Sequence, residues 1–596
     1  MTWMKHMNTR LCFALLAVAA LALPTRAYGS AYEGTMAAKC CGLRCVPTGD
    51  LRPGMVVEGA EKVSGWKVDG RGWWHARLPA GARCSHLFVN GSRRLRPRVP
   101  RRGYLYLEDA PTVAGQCATN VSFRVGEGAV CRNWDFSQIE ACVFHDWNMT
   151  RLPISAYEPE SRTVTCPVPL PKNRKFNSRR WWFLDNVCEA LGEPGDWYVS
   201  RDGSLVYVPM PGETPDTADV RAAVRETLLE VDGLTNVVIR GVTFAYSGWS
   251  MPAVGQTCSQ AGHNVAAAVR VTRSRNVRFE GCRFLHLGGW GVEFGPGASD
   301  CAVVGCTFAD LGAGGVKIGC AREGAEDPAN WAVRCAVEDC LIVHGGRFEP
   351  AGCGVWIGNA NRCRVEHNTI RDMYYSGISV GWTWDQKPSG AFGNRIAFND
   401  ISDIGQGRLS DMGGIYLLGK QPGTCVIGNS IRNVGCARFC GFGVYLDQGC
   451  NGISAVSNYV ENTQGGCFYI QYNTSSNIVA DNVFVNDRDT MIATAQYRHP
   501  VKKTKPSRFE RNVVWWDRPG CRLSLPEPIW EDFLAPRDNV CRAPEGRHIE
   551  ANGFRSADVS RPAPLCGAGR RGGDTGPLQA LGDVPAVFDA SPPPRQ

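Results

Sequence analysis

From about residue 230 to 515 the chain alternates short apolar pairs with polar turns. One element recurs as Asn or Cys, any residue, then Phe, Ile or Val. Its copies begin at Cys282, Cys306, Cys340, Asn368, Asn399, Asn429, Asn458, Asn482 and Asn512, spaced 24–34 residues apart. A second short strand follows seven of them. It starts at Gly291, Gly315, Gly354, Gly377, Gly414, Gly443 and, without the glycine, Cys467. Short β-branched strands at this period, with no helical stretch between them, predict an all-β parallel solenoid. A single coil cannot bury its own apolar face, so coils stack about 4.8 Å apart. The leucine pattern of leucine-rich repeats is missing, and a propeller pairs its strands antiparallel within each blade.

Period two within the glycine-led strand assigns its faces. Val292, Val316, Val355, Ile378, Ile415, Val444 and Phe468 point inward, as do Phe294, Ile318, Ile357, Val380, Leu417, Leu446 and Ile470. The intervening column reads Glu293, Lys317, Trp356, Ser379, Tyr416, Tyr445 and Tyr469. The next outward column reads Gly295, Gly319, Gly358, Gly381, Leu418, Asp447 and Gln471. An exposed aromatic row beside a glycine-floored trough is expected, shaped for something flat and polar such as a sugar chain. The repeated Asn position predicts an internal ladder, with cysteine in its place in the early coils.

Three coils carry five or six extra residues at one turn, within 343–353, 402–413 and 432–442. Insertions on one side of a solenoid mark its binding side, so all three are expected to edge the trough.

The rest of the chain reads differently. Residues 1–29 have a basic start at Lys5 and Arg10, an apolar run from Leu11 to Leu23 and small residues after it, which is a secretory signal peptide. A cysteine-rich segment, 30–50, follows. Residues 51–225 lack the repeat and read as a β-rich accessory domain. The β-helix spans 226–545, and 546–596 is a Gly/Pro-rich tail. The formal charge is +8, and removing Lys5, Arg10 and Arg26 leaves +5 for the remaining 567 residues. That gives no case for a nucleic-acid partner, and no later stretch is long and apolar enough to span a membrane. Of 27 cysteines, those inside the repeat read as buried thiols, whereas others in an oxidising compartment are expected to pair. No cofactor or metal is implied, and the oligomeric state is left open.

Two carboxylates stand out. Asp411 opens Asp411-Met412-Gly413-Gly414-Ile415-Tyr416, and Asp447 replaces the glycine column one coil on. Paired carboxylates across a sugar cleft do glycosidase chemistry. The bland alternative is two turn aspartates bonding backbone N–H groups. A polysaccharide lyase and an inactive carbohydrate-binding β-helix remain as rival readings. Trp356, Tyr416, Tyr445 and Tyr469 are the expected sugar-facing row. Trp382 and Trp384 are expected as exposed stacking platforms. Gln471 and Gln448 are expected at the substrate. Arg347 is expected either as a clamp on a substrate carboxylate or sulfate, or in a loop salt bridge. The run Arg93, Arg94, Arg96, Arg98, Arg101 and Arg102 reads as a solvated loop, or as a contact for an anionic polysaccharide.

Residues about 50–515 resemble glycoside hydrolase family 141. The resemblance rests on His86-Leu87-Phe88-Val89-Asn90-Gly91, Gly195-Asp196-Trp197-Tyr198-Val199, Asp310-Leu311-Gly312-Ala313-Gly314-Gly315 and Ser376-Gly377-Ile378-Ser379-Val380-Gly381-Trp382. Most specifically it rests on Leu409-Ser410-Asp411-Met412-Gly413-Gly414-Ile415-Tyr416 and Tyr445-Leu446-Asp447. It implies a right-handed parallel β-helix, α-L-fucosidase or xylanase activity, and a catalytic pair at Asp411 and Asp447. There are departures. Gln448-Gly449-Cys450 stands where the family has Glu then Gly-Ser, and Phe468 to Asn473 stands where it has a His-containing element. These imply a changed substrate or a weakened member.

Overall fold

The computed structural model describes residues 51–571 except 80–81, 108–111, 114–120, 168–179, 254, 322–326, 472, 487, 489, 495–504, 519–521, 525–533, 544–552, 558, 565–566 and 570. The expected signal peptide, the segment 30–50 and most of the tail 546–596 lie outside the described residues. Among the described residues no helix is long and apolar enough to cross a membrane.

The repeat builds a parallel β-helix of three sheets, with thirteen, eleven and eleven strands among the described residues. The glycine-led strands form one eleven-stranded sheet in the expected register: Ile378 pairs with Ile415, Ile415 with Val444 and Val444 with Phe468. Their inward side chains join one continuous core, in which Ile415, Leu417, Leu446 and Ile470 are fully buried. Each coil also holds a third strand that the pattern does not announce, such as Arg364–Glu366, Arg395–Ala397 and Cys425–Ile427. These are three residues long, too short to show a period.

The asparagine ladder forms as the sequence predicts. The Nδ2 atoms of Asn368, Asn399 and Asn429 each donate to the next rung's Oδ1 at 2.9 Å. Each Oδ1 also accepts the backbone N–H of the previous rung, as Asn429 does from Asn399 at 3.0 Å. Buried polar groups at a tight turn are thereby paired along the stack. In the early coils Cys282, Cys306 and Cys340 fill this position as buried free thiols. Sγ of Cys306 donates to the carbonyl of Phe279 at 3.4 Å.

The chain enters the solenoid earlier than expected. Val56–Glu58, which the sequence places in the accessory segment, pairs in parallel with Thr243–Ala245 as the first rung of the thirteen-stranded sheet. At the other end, Phe554–Ser556 adds a rung from within the expected tail. Between its first rung and Leu229 the chain makes a long excursion built of small antiparallel sheets. The excursion is tied to the solenoid by buried polar contacts. Arg93 Nε donates to Asp310 Oδ1 at 2.8 Å, and Arg151 Nη2 donates to the Phe348 carbonyl at 3.1 Å.

Candidate functional site

Asp411 stands one residue before the strand Met412–Leu417, and Asp447 one residue after the strand Gly441–Leu446 of the next coil. These strands pair in parallel, with Tyr416 opposite Tyr445. The Asp411 backbone is in the left-handed region, with φ of 60°, a conformation aspartate tolerates better than most residues. Two contacts hold it there. The Tyr375 hydroxyl donates to the Asp411 carbonyl at 2.6 Å. The preceding Ser410 N–H donates to the carbonyl of Asp146, in the excursion, at 2.6 Å. Gln260 Nε2 donates to the Tyr375 hydroxyl at 3.2 Å, bracing it from outside the coil.

One phenol joins the two acids. The Tyr445 hydroxyl oxygen lies 3.0 Å from Asp411 Oδ1 and 3.3 Å from Asp447 Oδ1. The Tyr416 hydroxyl donates to Asp447 Oδ2. Burial pushes the Asp411 carboxyl up to about 7, and the Asp447 charge adds to the effect. Burial also raises Asp447, opposed by hydrogen bonds from Tyr416, the Gln448 backbone, Tyr445 and Gln471. Burial and the two carboxylates push both phenols well above their usual range, so they stay protonated. A phenol has a single hydrogen. Both Tyr445 contacts are hydrogen bonds only when one carboxyl carries a proton. Asp447 has the larger set of donors, so the proton belongs on Asp411. The chain then runs from Asp411 O–H to the Tyr445 oxygen, and from Tyr445 O–H to the Asp447 carboxylate.

The expected exposed aromatic row is not what the structure holds. Tyr416 and Tyr445 are buried, at 2% and 1% exposure. They meet edge to face with centroids 5.0 Å apart, and Tyr445 meets Tyr469 the same way at 5.1 Å. Phe442 stacks on Tyr469 at 4.2 Å. The rings form a packed cluster that desolvates the acids, and of the expected row only Tyr469 is half-buried. Trp356 and Trp382 are buried in a separate cluster beneath the excursion, where Trp356 stacks on His263 at 5.3 Å. The Gly358 end of the expected trough is roofed, because a Cβ there would lie 2.1 Å from the Trp356 ring.

The remaining candidates divide. Trp384 is 39% exposed, as expected. Its neighbour Asp385 accepts from Gln448 Nε2, the residue after Asp447. Gln471 bonds Asp447. Arg347 is no substrate clamp. It is buried, paired with Asp372 and laid over the Tyr374 ring at 4.3 Å, so the loop salt-bridge reading holds. The loop 343–353 packs against the excursion through Phe348. The loops 402–413 and 432–442 do edge the site. The second of these supplies a residue the sequence reading missed: Phe439 is 40% exposed, and its carbonyl accepts the Asp411 N–H at 3.1 Å. It lies in an insertion outside the strand alignment, so only its place in an overhanging loop could have drawn notice.

Glu140, Cys142 and Asp185 bring possible metal-ligand atoms within 4.8 Å of one another. Arg96 and Arg151 already occupy them. Arg96 donates to both Glu140 oxygens, and Arg151 Nη1 donates to Glu140, Asp185 and Cys142 Sγ. The cluster is an internal ion-pair network.

Residues 329–502 match the family described as a right handed beta helix region. A solved structure named as a glycoside hydrolase is similar to this chain with a TM-score of 0.62. Its identity is 22%, over 72% of this chain and 82% of that one. A structure of XylC with xylose aligns at 13% identity over 85% of this chain and 75% of its own, with a TM-score of 0.43. A mannuronic acid specific polysaccharide family 6 lyase from human gut microbiota aligns at 11% identity over 56% and 83%, with a TM-score of 0.36. No curated protein sequence matches the chain. The family match and the first of these likenesses agree on the fold, a right-handed parallel β-helix.

Proposed function

We propose that the chain is an exported glycoside hydrolase acting on a plant or algal polysaccharide, with Asp411 as the general acid and Asp447 as the partner carboxylate. The observation that carries this reading is the bridge from Asp411 through Tyr445 to Asp447. It supports one protonated and one ionised carboxyl at neutral pH, the division of labour glycoside cleavage needs. Asp411 would give its proton to the leaving glycosidic oxygen as the bond to the anomeric carbon breaks. Asp447 would take up the carbon, or direct water onto it. Attack by Asp447 itself would retain the configuration at the anomeric carbon, and activation of water would invert it. The fucosidase-like or xylanase-like specificity rests on the resemblance in sequence to family 141, and export rests on the pattern of residues 1–29.

The lyase reading is weaker, because the one basic side chain of the outward columns is not available as a base. Lys317 is buried, pairs with Glu293 at 3.1 Å and donates to the Val265 carbonyl at 2.8 Å. The reading as an inactive member rests on the departures at Gln448 and in Phe468 to Asn473. Gln448 bonds Asp385, and Gln471 bonds Asp447.

The test is incubation with fucosylated, sulfated and xylan polysaccharides. New reducing ends, without the ultraviolet absorbance of an unsaturated uronate, are expected. Proton NMR of the first product separates the two roles of Asp447: a retained anomeric configuration means attack by its carboxylate, an inverted one activation of water. Unsaturated products would overturn the hydrolase assignment.

A further inference from the structure

A cavity of about 580 Å³ lies apart from the carboxylate pair, lined by the excursion and by Arg347 and Phe348 of the loop 343–353. Eight arginines and four carboxylates line it among the described residues. The basic run that reads in sequence as a solvated loop or as a contact for an anionic polysaccharide supplies six of those arginines. None of the residues bonded to Asp411 or Asp447 belongs to this wall.

The four lining carboxylates are already engaged. Asp185 is held by Arg96 and Arg151, Glu213 by Arg94, and Asp196 and Glu193 by Arg101. The guanidinium groups are not all used. Arg93, 3% exposed, is spent on Asp310 Oδ1 and the Leu287 carbonyl, and Arg347 on Asp372. Arg98 has no carboxylate within ion-pairing distance among the described residues. Its Nε and Nη2 donate to the carbonyls of Pro100 and Gly103, and its cation rests over the Phe183 ring at 4.0 Å. Arg102 stands exposed at the rim. A wall with more guanidinium groups than carboxylates suits a carboxylate or sulfate, and this volume is within the roughly 300–1,000 Å³ of small-molecule sites.

We propose that this cavity is a second, non-catalytic carbohydrate site that binds an anionic sugar through its carboxylate or sulfate group, with Arg98 and Arg102 as the principal donors. Phe348 and Phe183 supply apolar wall for the ring. The site would hold an acidic branch or neighbouring residue of a polymer, independently of what Asp411 and Asp447 do.

The full chain is titrated calorimetrically with digalacturonate, neocarrabiose 4-sulfate, neutral galactobiose and sodium sulfate. At least one acidic disaccharide is expected to bind ten-fold or more tighter than galactobiose and than sulfate, with affinity falling as salt rises. Which disaccharide binds identifies the anionic group. Arg98→Gln is expected to weaken that binding at least ten-fold while melting temperature and turnover of a neutral substrate stay unchanged. If Arg98→Gln does not fold, Arg102→Gln at the exposed rim is judged by the same loss. Asp447→Asn should leave the affinity as it was. The proposal is overturned by equal binding of acidic and neutral disaccharides or by sulfate binding as tightly as either acid. It is also overturned by wild-type affinity in the folded arginine variant, or by loss of binding in Asp447→Asn.

Discussion

Asp411 and Asp447, on adjacent coils, share one phenol: the Tyr445 oxygen is 3.0 Å from an oxygen of the first and 3.3 Å from an oxygen of the second. On the proposed function, that relationship divides the work of general acid and partner carboxylate between them. Asp411→Asn and Asp447→Asn are then each expected to lower turnover by several orders of magnitude. Circular dichroism should stay native. Near-native activity in either variant would remove that residue from the chemistry.

Tyr445 does two jobs that two substitutions separate. Its ring is 1% exposed among Tyr416, Phe442 and Tyr469, so Tyr445→Ala should destabilise by about 3–5 kcal/mol. Tyr445→Phe keeps the ring and removes the hydroxyl. It should cost far less stability and still cut turnover, because the proton between the acids loses its bridge. A phenylalanine variant with wild-type turnover and pH profile would show that the phenol only packs.

Stability should depend on pH through Asp411. Its folded value, about 7, lies above the roughly 3.9 of an unfolded aspartate. Between these values the native state binds more protons than the unfolded chain, so stability falls as pH rises across the window and stays lowered above it. Asp411→Asn removes the ionisable group. Its stability relative to wild type, from urea unfolding, should therefore be higher at about pH 8 than at about pH 5. Catalysis should fade as pH rises through 7, because the acid loses its proton. A relative stability that does not change with pH would mean that Asp411 is not raised.

Trp384 and Phe439 are exposed aromatic side chains, at 39% and 40% exposure, on loops bonded to Gln448 beside Asp447 and to Asp411 itself. Neither contributes much to the core, so Trp384→Ala and Phe439→Ala should change the melting temperature little. If they carry sugar rings, KM should rise several-fold with a smaller change in kcat. A stability loss with unchanged KM would place them in packing.

Asn429 tests the ladder. Its Oδ1 accepts from both the N–H and the Nδ2 of Asn399. Asn429→Ala strands these buried donors, each costing about 1–3 kcal/mol. The urea midpoint should drop while the folded fraction keeps its KM. An unchanged midpoint would mean that the rung is dispensable.

The sequence by itself determined the repeat. Inward valines and isoleucines, the asparagine rungs and the cysteines that replace them were legible because each coil repeats one local environment. Stacking copies that environment without needing a distant partner. The placing of Asp411 and Asp447 on adjacent coils followed from the same register. Exposure was not legible. Tyr416, Tyr445 and Trp356 occupy outward positions of the strand and Trp382 follows its end, and period two says only that the first three leave the core. What covers them is decided by loops and by an excursion of antiparallel strands whose contacts span long separations, such as Asp146 with Ser410. The same holds for charge. Arg347 reads as a substrate clamp or a loop salt bridge, and the run from Arg93 to Arg102 as a solvated loop or a polysaccharide contact, until the tertiary structure brings Asp372 against the first and Asp310 and Glu140 against the second. Burial, and with it the proton held on Asp411, is a property of what packs over a residue, and here that material comes from other parts of the chain.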